Sequence, residues 1–382
     1  MRASERELAS VNDPTAGEPA LPVHGGDLDA VARRYGVPRD DLVDFSANLN
    51  PLGPPQALLA ALAEAAADVR DLARYPEPDA ASLRDALGAH HGIDPASIVV
   101  ANGAAALIGV AAEVAMRARC VVPLPAFSED AHALRRAGIA LVPLPLDPAS
   151  DFALPVDAIA RMLVAGEADA ALVTTPHNPT GALVKRATIC DLASRARCAR
   201  ATLVLDESFV DFVPEQSAIA LAATEERTIV VRSLTKFFAV PALRVGFAVC
   251  EPRLAARMRA ALPSWPVTTI AMRALRAALG DAAYAERTRA TIERERAIVI
   301  AALRALSCRV FDSAANFVFV ELPPGRSAAA FVRELVVAHR IVVRNCTSYD
   351  GLAADRYVRI AVRDRVANVR CLDAVRQVLS RT

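Results

Sequence analysis

Lysine is rare in this chain, and its scarcity leaves two candidates for a nucleophilic side-chain amine. Of the 44 basic residues two are lysines, Lys185 and Lys236, and the rest are arginines. Lys236 follows the strand-like run Thr228–Arg232 in a Ser-x-Thr-Lys turn with aromatic residues behind it, which predicts burial. Burial lowers the pKa of a lysine amine and suits Schiff-base chemistry. Lys185 begins a helix-like segment and is predicted to lie at the surface.

Two polar side chains follow other strand-like runs. Asp206 ends the apolar run Leu203-Val204-Leu205. An aspartate in this position, taken alone, is also typical of a helix cap. Asn178 lies within Pro176-His177-Asn178-Pro179, where two prolines predict a rigid turn.

A possible anion site begins at Gly103. The chain passes there from a strand-like run into a helical pattern that starts at Ala104 and Ala105. Free backbone N–H groups at the start of a helix bind anions. Arg244, eight residues after Lys236, adds a positive charge to the set.

The elements that must position these residues alternate between short apolar runs and helical patterns. The strand candidates are Ile98–Ala101, Cys120–Pro123, Ala171–Thr174, Thr202–Leu205, Thr228–Arg232 and Gly246–Cys250. Runs that are apolar on both faces favour a mostly parallel sheet covered by helices, and therefore an α/β fold. The polar residues come directly after the strands, at the edge where open α/β sheets bind ligands.

The pattern changes around Pro263–Pro266. A long helical stretch over 267–306 is followed by short strands and two further helices, which predicts a second, smaller α+β domain. We therefore expect four segments, which are a mobile tail over 1–22, an N-terminal arm or small-domain segment over 23–45, a large domain with the candidate site over 46–263, and a small C-terminal domain over 264–382.

The composition limits the classes of function. With 54% hydrophobic residues among 382, the chain can bury a large core, which excludes general disorder. The 44 basic and 43 acidic residues balance, so we expect no binding to nucleic acid or to a membrane. Seven scattered cysteines without a C-x-x-C motif predict no disulfide framework and no metal site, and they fit a reducing cytoplasm.

The order of these features resembles the fold-type-I pyridoxal-phosphate enzymes, the aspartate aminotransferase superfamily, over about residues 24–380. The resemblance implies pyridoxal 5′-phosphate as cofactor, bound by a large domain with a mostly parallel sheet beside a smaller α+β C-terminal domain. It implies that Lys236 forms the Schiff base with the cofactor and moves protons at the substrate Cα. It further implies that Asp206 pairs with the pyridinium nitrogen and makes the ring an electron sink.

The same resemblance implies the remaining cofactor contacts. Asn178 would hydrogen-bond the ring 3′-oxygen, and Phe127 in Pro125-Ala126-Phe127-Ser128 would stack on the ring. The cofactor phosphate would be held by Gly103, Ala104, Ala105, Ser233, Thr235 and Arg244. Tyr75 in Arg74-Tyr75-Pro76 would reach the phosphate of a neighbouring subunit, which implies a homodimer.

The segments 24–27, 44–53, 206–212, 232–241 and 343–352 resemble, more narrowly, the threonine-phosphate decarboxylases of cobalamin biosynthesis. Those enzymes convert L-threonine O-3-phosphate to (R)-1-amino-2-propanol O-2-phosphate and carbon dioxide. The resemblance implies that Arg359 binds the substrate carboxylate, which a planar guanidinium holds in bidentate fashion. The other implied substrate contacts are His24 and Arg344 near the phosphate and Ser46, Ala47 and Asn48 on the opposite wall.

The sequence leaves two other functions open. The first is an aminotransferase acting on histidinol phosphate or a related amino acid, which requires a 2-oxo acid acceptor. The second is a binding or regulatory protein on the same fold. We expect no DNA-binding module in the roughly 22 residues that precede His24, and the balanced charge agrees.

Overall fold

Twelve strands form two sheets in the computed structural model, which describes residues 24–352 and 354–380. The predicted tail over 1–22 lies outside the described residues. The strands are β1 (Val43–Phe45), β2 (Ile98–Ala101), β3 (Arg119–Leu124), β4 (Ala140–Pro145), β5 (Ala170–Thr174), β6 (Thr202–Asp206), β7 (Thr228–Ser233), β8 (Gly246–Val249), β9 (Arg309–Val310), β10 (Phe317–Glu321), β11 (Ile341–Asn345) and β12 (Tyr357–Ala361).

The α-helices of the described ranges cover both sheets. They are α1 (Leu28–Tyr35), α2 (Gln56–Ala67), α3 (Val69–Leu72), α4 (Ala81–His91), α5 (Ala104–Ala115), α6 (Ser128–Arg136), α7 (Val156–Val164), α8 (Arg186–Cys198), α9 (Ile219–Ala222), α10 (Leu234–Phe237), α11 (Pro252–Ala261), α12 (Thr269–Leu279), α13 (Ala282–Ala305), α14 (Ala328–His339) and α15 (Arg365–Ser380). Within these residues no helix combines the length and apolar character needed to span a membrane.

The larger sheet has seven strands in the order β2-β8-β7-β6-β5-β3-β4. The strands from β7 to β4 run parallel, and β8 runs antiparallel to both of its neighbours. Side chains of β6 alternate between two hydrophobic cores, with Leu203 and Leu205 in the core that contains α8 and Val204 in the core that contains α5. The predicted α/β fold with a mostly parallel sheet is confirmed, because helices cover both faces of its central strands.

The smaller sheet has five strands in the order β1-β11-β12-β10-β9. Its first strand comes from the N-terminal part of the chain, and it pairs in parallel with β11 so that Phe45 lies opposite Val343. This long-range pairing places the segment that follows β1, beginning at Ser46, beside the strands of the C-terminal part. The loop 46–48 can therefore face the larger sheet from the opposite side.

The structure differs from the sequence-based predictions in three places. The helical stretch predicted over 267–306 is two helices, because Gly280 ends α12 and the Asp281 side chain accepts a hydrogen bond from the backbone N–H of Tyr284 at the start of α13. Strands β1 and β4 were not predicted. Strand β1 is only three residues long, and β4 is a partly exposed edge strand with two prolines, which are tolerated at sheet edges.

Candidate active site

A cavity of about 480 Å³ lies where the carboxyl ends of β5, β6 and β7 face the loop 46–48 and strand β12. Every residue predicted for the site lines it except Tyr75 and Arg344. The position agrees with the rule that open α/β sheets bind ligands at the carboxyl edge of their strands. The lining residues used below are Ser46, Asn48, Gly103, Ala104, Ala105, Phe127, Asn178, Asp206, Ser233, Thr235, Lys236, Arg244 and Arg359.

Lys236 lies in the short helix α10, directly after β7. The Ser233 side chain caps this helix, and its hydroxyl lies 2.7 Å from the Thr235 hydroxyl. Burial lowers the pKa of the Lys236 amine from 10.5 to about 8, with further lowering from the positive charges of Arg359 and Arg244. A lysine with this pKa is partly neutral near pH 7.5, and only the neutral amine attacks a carbonyl carbon.

Asp206 is the last residue of β6 and is buried at the floor of the cavity. It accepts two hydrogen bonds on Oδ1, from the Ser208 backbone N–H at 3.0 Å and from the Ser208 hydroxyl at 2.5 Å. Among the described residues no donor reaches Oδ2. Burial raises the pKa of this carboxyl, although the Ser208 bonds and Lys236 act in the opposite direction. A ligand with a cationic ring nitrogen beside Asp206 would offset the free-energy cost of burying an ionised carboxylate there.

An anion cradle forms where β8 approaches the start of α5. A Cβ on Gly246 would lie 2.8 Å from the Ala104 backbone nitrogen and 2.8 Å from the Arg232 carbonyl oxygen. The absence of a side chain at Gly246 therefore lets β8 and the start of α5 touch through their backbones. Gly103 precedes the helix with a φ of +87°, and a Cβ there would lie 3.0 Å from Nη2 of Arg244. The cradle could hold a phosphate ester, because helix N–H groups, a guanidinium and two hydroxyls converge on it.

Arg359 connects the two sides of the cavity. Its Nη1 donates to Oδ1 of Asn178 and, at 3.0 Å, to the Tyr349 hydroxyl, while Nη2 donates to the Ser46 carbonyl oxygen at 3.0 Å. With its amide oxygen turned toward the guanidinium, Asn48 accepts from Nε at 3.2 Å. These partners hold a planar cation at the cavity wall, where a carboxylate could replace one or more of them.

Arg344 and His24 lie around a second, small cavity of about 30 Å³ beside the first. His24 lines both cavities, and its Nε2 lies 3.2 Å from a carboxylate oxygen of Glu129. Nη2 of Arg344 donates to the Ser348 hydroxyl at 2.6 Å. Arg344 is opposite Arg359 in the pairing of β11 with β12, so the two guanidinium groups belong to neighbouring strands.

Tyr75 is not part of this chain's cavity. Its side chain is 79% exposed and stacks on Trp265, with the two ring centroids 4.5 Å apart.

Several residues that shape the site were absent from the sequence-based set. Gly25, Ile108, Glu129, Asp130, Ser208 and Phe209 also line the cavity. Asp130 comes three residues after Phe127 in a helical segment, so helical spacing could have identified it. Tyr349 lies 171 residues from Asn178, whose side chain it contacts, and no local pattern predicts that pair.

The chain is similar along most of its length to proteins of known family. A family model described as aminotransferase class I and II matches residues 40–375. The chain is 35% identical over 360 residues to the threonine-phosphate decarboxylase of Salmonella typhimurium, covering 94% of this chain and 96% of that one. It is 30% identical to the adenosylcobalamin biosynthesis bifunctional protein of Leptospira interrogans, covering 93% of this chain and 41% of that one. The crystal structure of the histidinol-phosphate aminotransferase from Clostridium acetobutylicum superposes with a TM-score of 0.82 at 26% identity, covering 89% of this chain and 100% of that one.

Proposed function

Because this chain belongs to the aminotransferase class I and II family, we propose that it decarboxylates L-threonine O-3-phosphate to (R)-1-amino-2-propanol O-2-phosphate, a step of cobalamin biosynthesis. The proposal is carried by one observation. Lys236, Asp206 and Arg359 surround one cavity in a chain that is 35% identical to a threonine-phosphate decarboxylase along nearly its whole length. The alternative, transamination of histidinol phosphate, rests on the similarity to aminotransferases of that name.

The residues of the cavity fit pyridoxal phosphate, the cofactor of this family. When bound, this cofactor supplies an electron sink for the bonds of the substrate Cα. Lys236 would hold it covalently, Asp206 would face its ring nitrogen, and Asn178 and Phe127 would contact the ring. Its phosphate would lie in the cradle of Gly103, Ala104, Ala105, Ser233, Thr235 and Arg244.

Lys236 would have two tasks in the reaction. Its amine would hold the cofactor until the substrate binds. The same amine would then hold a proton close to the substrate Cα and return it to that carbon. A pKa near 8 suits both tasks, because the amine gains and loses a proton readily around neutral pH.

The substrate would bind through its two anionic groups. Arg359 would hold the carboxylate, and the loop of Ser46, Ala47 and Asn48 would form the facing wall. His24 and Arg344, around the adjoining small cavity, would receive the phosphate. Nε2 of His24 lies 3.2 Å from a carboxylate oxygen of Glu129, a contact that would orient the imidazole at the edge of the small cavity.

Replacement of Arg359 by lysine should raise KM for L-threonine O-3-phosphate by roughly tenfold to a hundredfold, because a lysine ammonium lacks the planar fork that binds a carboxylate at two points. Steady-state kinetics would separate KM from kcat. Arg356→Lys is the matched control, since its guanidinium is about half exposed and pairs with Glu321 outside the cavity. Equal KM values for the wild type and Arg359→Lys would remove this arginine from the substrate site.

The function itself is tested by a comparison of two substrates on the protein loaded with pyridoxal phosphate. L-Threonine O-3-phosphate is supplied without any 2-oxo acid, and carbon dioxide and the amino alcohol phosphate are measured. Equal amounts of both products over many turnovers are expected. Turnover of histidinol phosphate that requires a 2-oxo acid, with no carbon dioxide from threonine phosphate, would transfer the chain to the aminotransferases and leave the cofactor contacts in place.

A homodimer is the proposed assembly, with Tyr75 reaching the cofactor phosphate of the other subunit. Its support is the exposed apolar surface around Tyr75, where Val69 is 73% and Leu72 is 58% exposed. Exposed apolar groups clustered in this way are typical of interaction sites. We also propose a cytoplasmic location, which is supported by the seven free cysteines, since free thiols are typical of a reducing compartment.

Replacement of Leu72 by glutamate should therefore weaken dimerisation by roughly a hundredfold, because it buries an unpaired charge in the interface. Sedimentation velocity at micromolar concentration would measure the change. Val366→Glu is the control, since Val366 is also an exposed apolar residue and lies on a different helix, α15. The interface proposal is wrong if the wild type sediments as a monomer or if Leu72→Glu remains dimeric.

A further inference from the structure

Asp130 is a buried carboxyl group in the cavity wall with no assigned partner. It lies in the first turn of α6, three residues after Phe127, and is 1% exposed. Neither of its carboxylate oxygens has a hydrogen-bond partner among the described residues, although both are buried. An ionised carboxylate in such a place is costly, whereas a protonated one is much less so.

The titratable groups that face Asp130 do not favour a negative charge there. Asp206 faces it from β6, Glu129 precedes it on its own helix, and the Cys120 thiol faces it from β3. Burial is the main cause that raises the pKa of Asp130 well above its usual value, and the charges of Asp206 and Glu129 add to it. Two carboxyl groups in one buried site seldom ionise together, so one of them keeps its proton.

Asp206 is the better placed of the two to carry the charge. It accepts two hydrogen bonds from Ser208, which stabilise the ionised form, and Lys236 acts in the same direction. Asp130 receives no such bond. The proton of the pair therefore belongs on Asp130.

We propose that Asp130 is a neutral carboxylic acid, so that the negative charge of the pair lies on Asp206 alone. A single carboxylate, Asp206, then faces the ring nitrogen of the cofactor. This inference rests on the cofactor assignment made above and goes beyond it, because it concerns the charge around Asp206. A second ionised carboxylate would bind the protonated ring more strongly and raise the pKa values of the attached cofactor. Asp130 acts through Asp206 and is a positioning residue.

The direct test is infrared difference spectroscopy of the full-length protein loaded with pyridoxal phosphate, at pH 7. We expect the spectrum of the wild type minus that of Asp130→Asn to contain the carbonyl stretch of a protonated carboxylic acid. The control is Glu129→Gln, which removes the partly exposed carboxyl next to Asp130 and shows which bands belong to that neighbour. If Asp130→Asn instead removes carboxylate bands, Asp130 is ionised and the proposal is overturned. Asp130→Leu gives the same comparison if the asparagine variant does not fold.

A second readout follows the charge that the cofactor experiences. The absorbance of the bound cofactor is titrated against pH in the wild type and in Asp130→Asn. If Asp130 is neutral, the titration midpoint of Asp130→Asn should lie within about 0.3 pH units of the wild-type midpoint. If Asp130 is an anion, its loss would lower the midpoint by about one unit or more. Neither readout uses a substrate, so failure of the decarboxylation assay would not affect the result. A protein that does not bind pyridoxal phosphate at all would overturn both the cofactor assignment and this inference.

Discussion

Replacement of Lys236 by alanine is expected to reduce carbon dioxide release from L-threonine O-3-phosphate by roughly 10⁴-fold or more. The variant would lose both the amine proposed to attach the cofactor and the group proposed to return a proton to Cα. No other amine can substitute for it, because Lys185, the second lysine, lies at the exposed start of α8. The measurement is the initial rate of carbon dioxide release at saturating cofactor.

Lys185→Ala is the matched control, and its rate should equal that of the wild type. The rate at which pyridoxal phosphate attaches to the wild-type protein gives a second check. It should rise as the pH increases from 6 to about 9 and then level off, because the neutral amine is the nucleophile and the pKa of Lys236 is about 8. At pH 7.5 roughly a quarter of such amines are neutral, against about one in a thousand for an ordinary lysine. An attachment rate that still rises steeply above pH 10 would contradict the buried environment of Lys236.

Replacement of Asp206 by asparagine should lower turnover by roughly a hundredfold to a thousandfold, the range typical for loss of one preorganised electrostatic contact in an active site. Asparagine keeps the shape of the side chain and can still accept the Ser208 bonds through its amide oxygen. It removes the negative charge proposed to keep the ring nitrogen protonated, so the loss should appear in kcat. Single-turnover measurements of carbon dioxide release would isolate this step from substrate binding.

Glu207→Gln is the matched control for the loss of a buried carboxylate. Glu207 follows Asp206 directly but is held outside the cavity by the Ser217 hydroxyl at 2.5 Å and the Ala218 backbone N–H at 2.7 Å. Thermal unfolding of both variants would detect any general loss of stability. If Glu207→Gln lost as much turnover as Asp206→Asn, the effect would be one of folding, and the proposed contact of Asp206 with the ring would lose its support.

Those features that depend on local chemistry could be predicted from the sequence. Lys236 and Asn178 follow apolar strands and Asp206 ends one, and parallel strands bring the residues at their carboxyl ends to one edge of a sheet. The order of these turns was specific enough to indicate the cofactor class. The predicted α/β fold is confirmed for the same reason, since buried parallel strands have a recognisable apolar pattern.

Other features depend on contacts between distant segments, and only the tertiary structure decided them. Arg359 and Asn178 are 181 residues apart, and their hydrogen bond requires both sheets to be in place. The three-residue strand β1 is stable only because β11 pairs with it, so its own sequence gives little signal. Asp130 is ordinary for the first turn of a helix, where acidic residues are favourable. Its unusual state comes from burial beside Asp206, and burial is a property of the packed molecule that no short stretch of sequence contains.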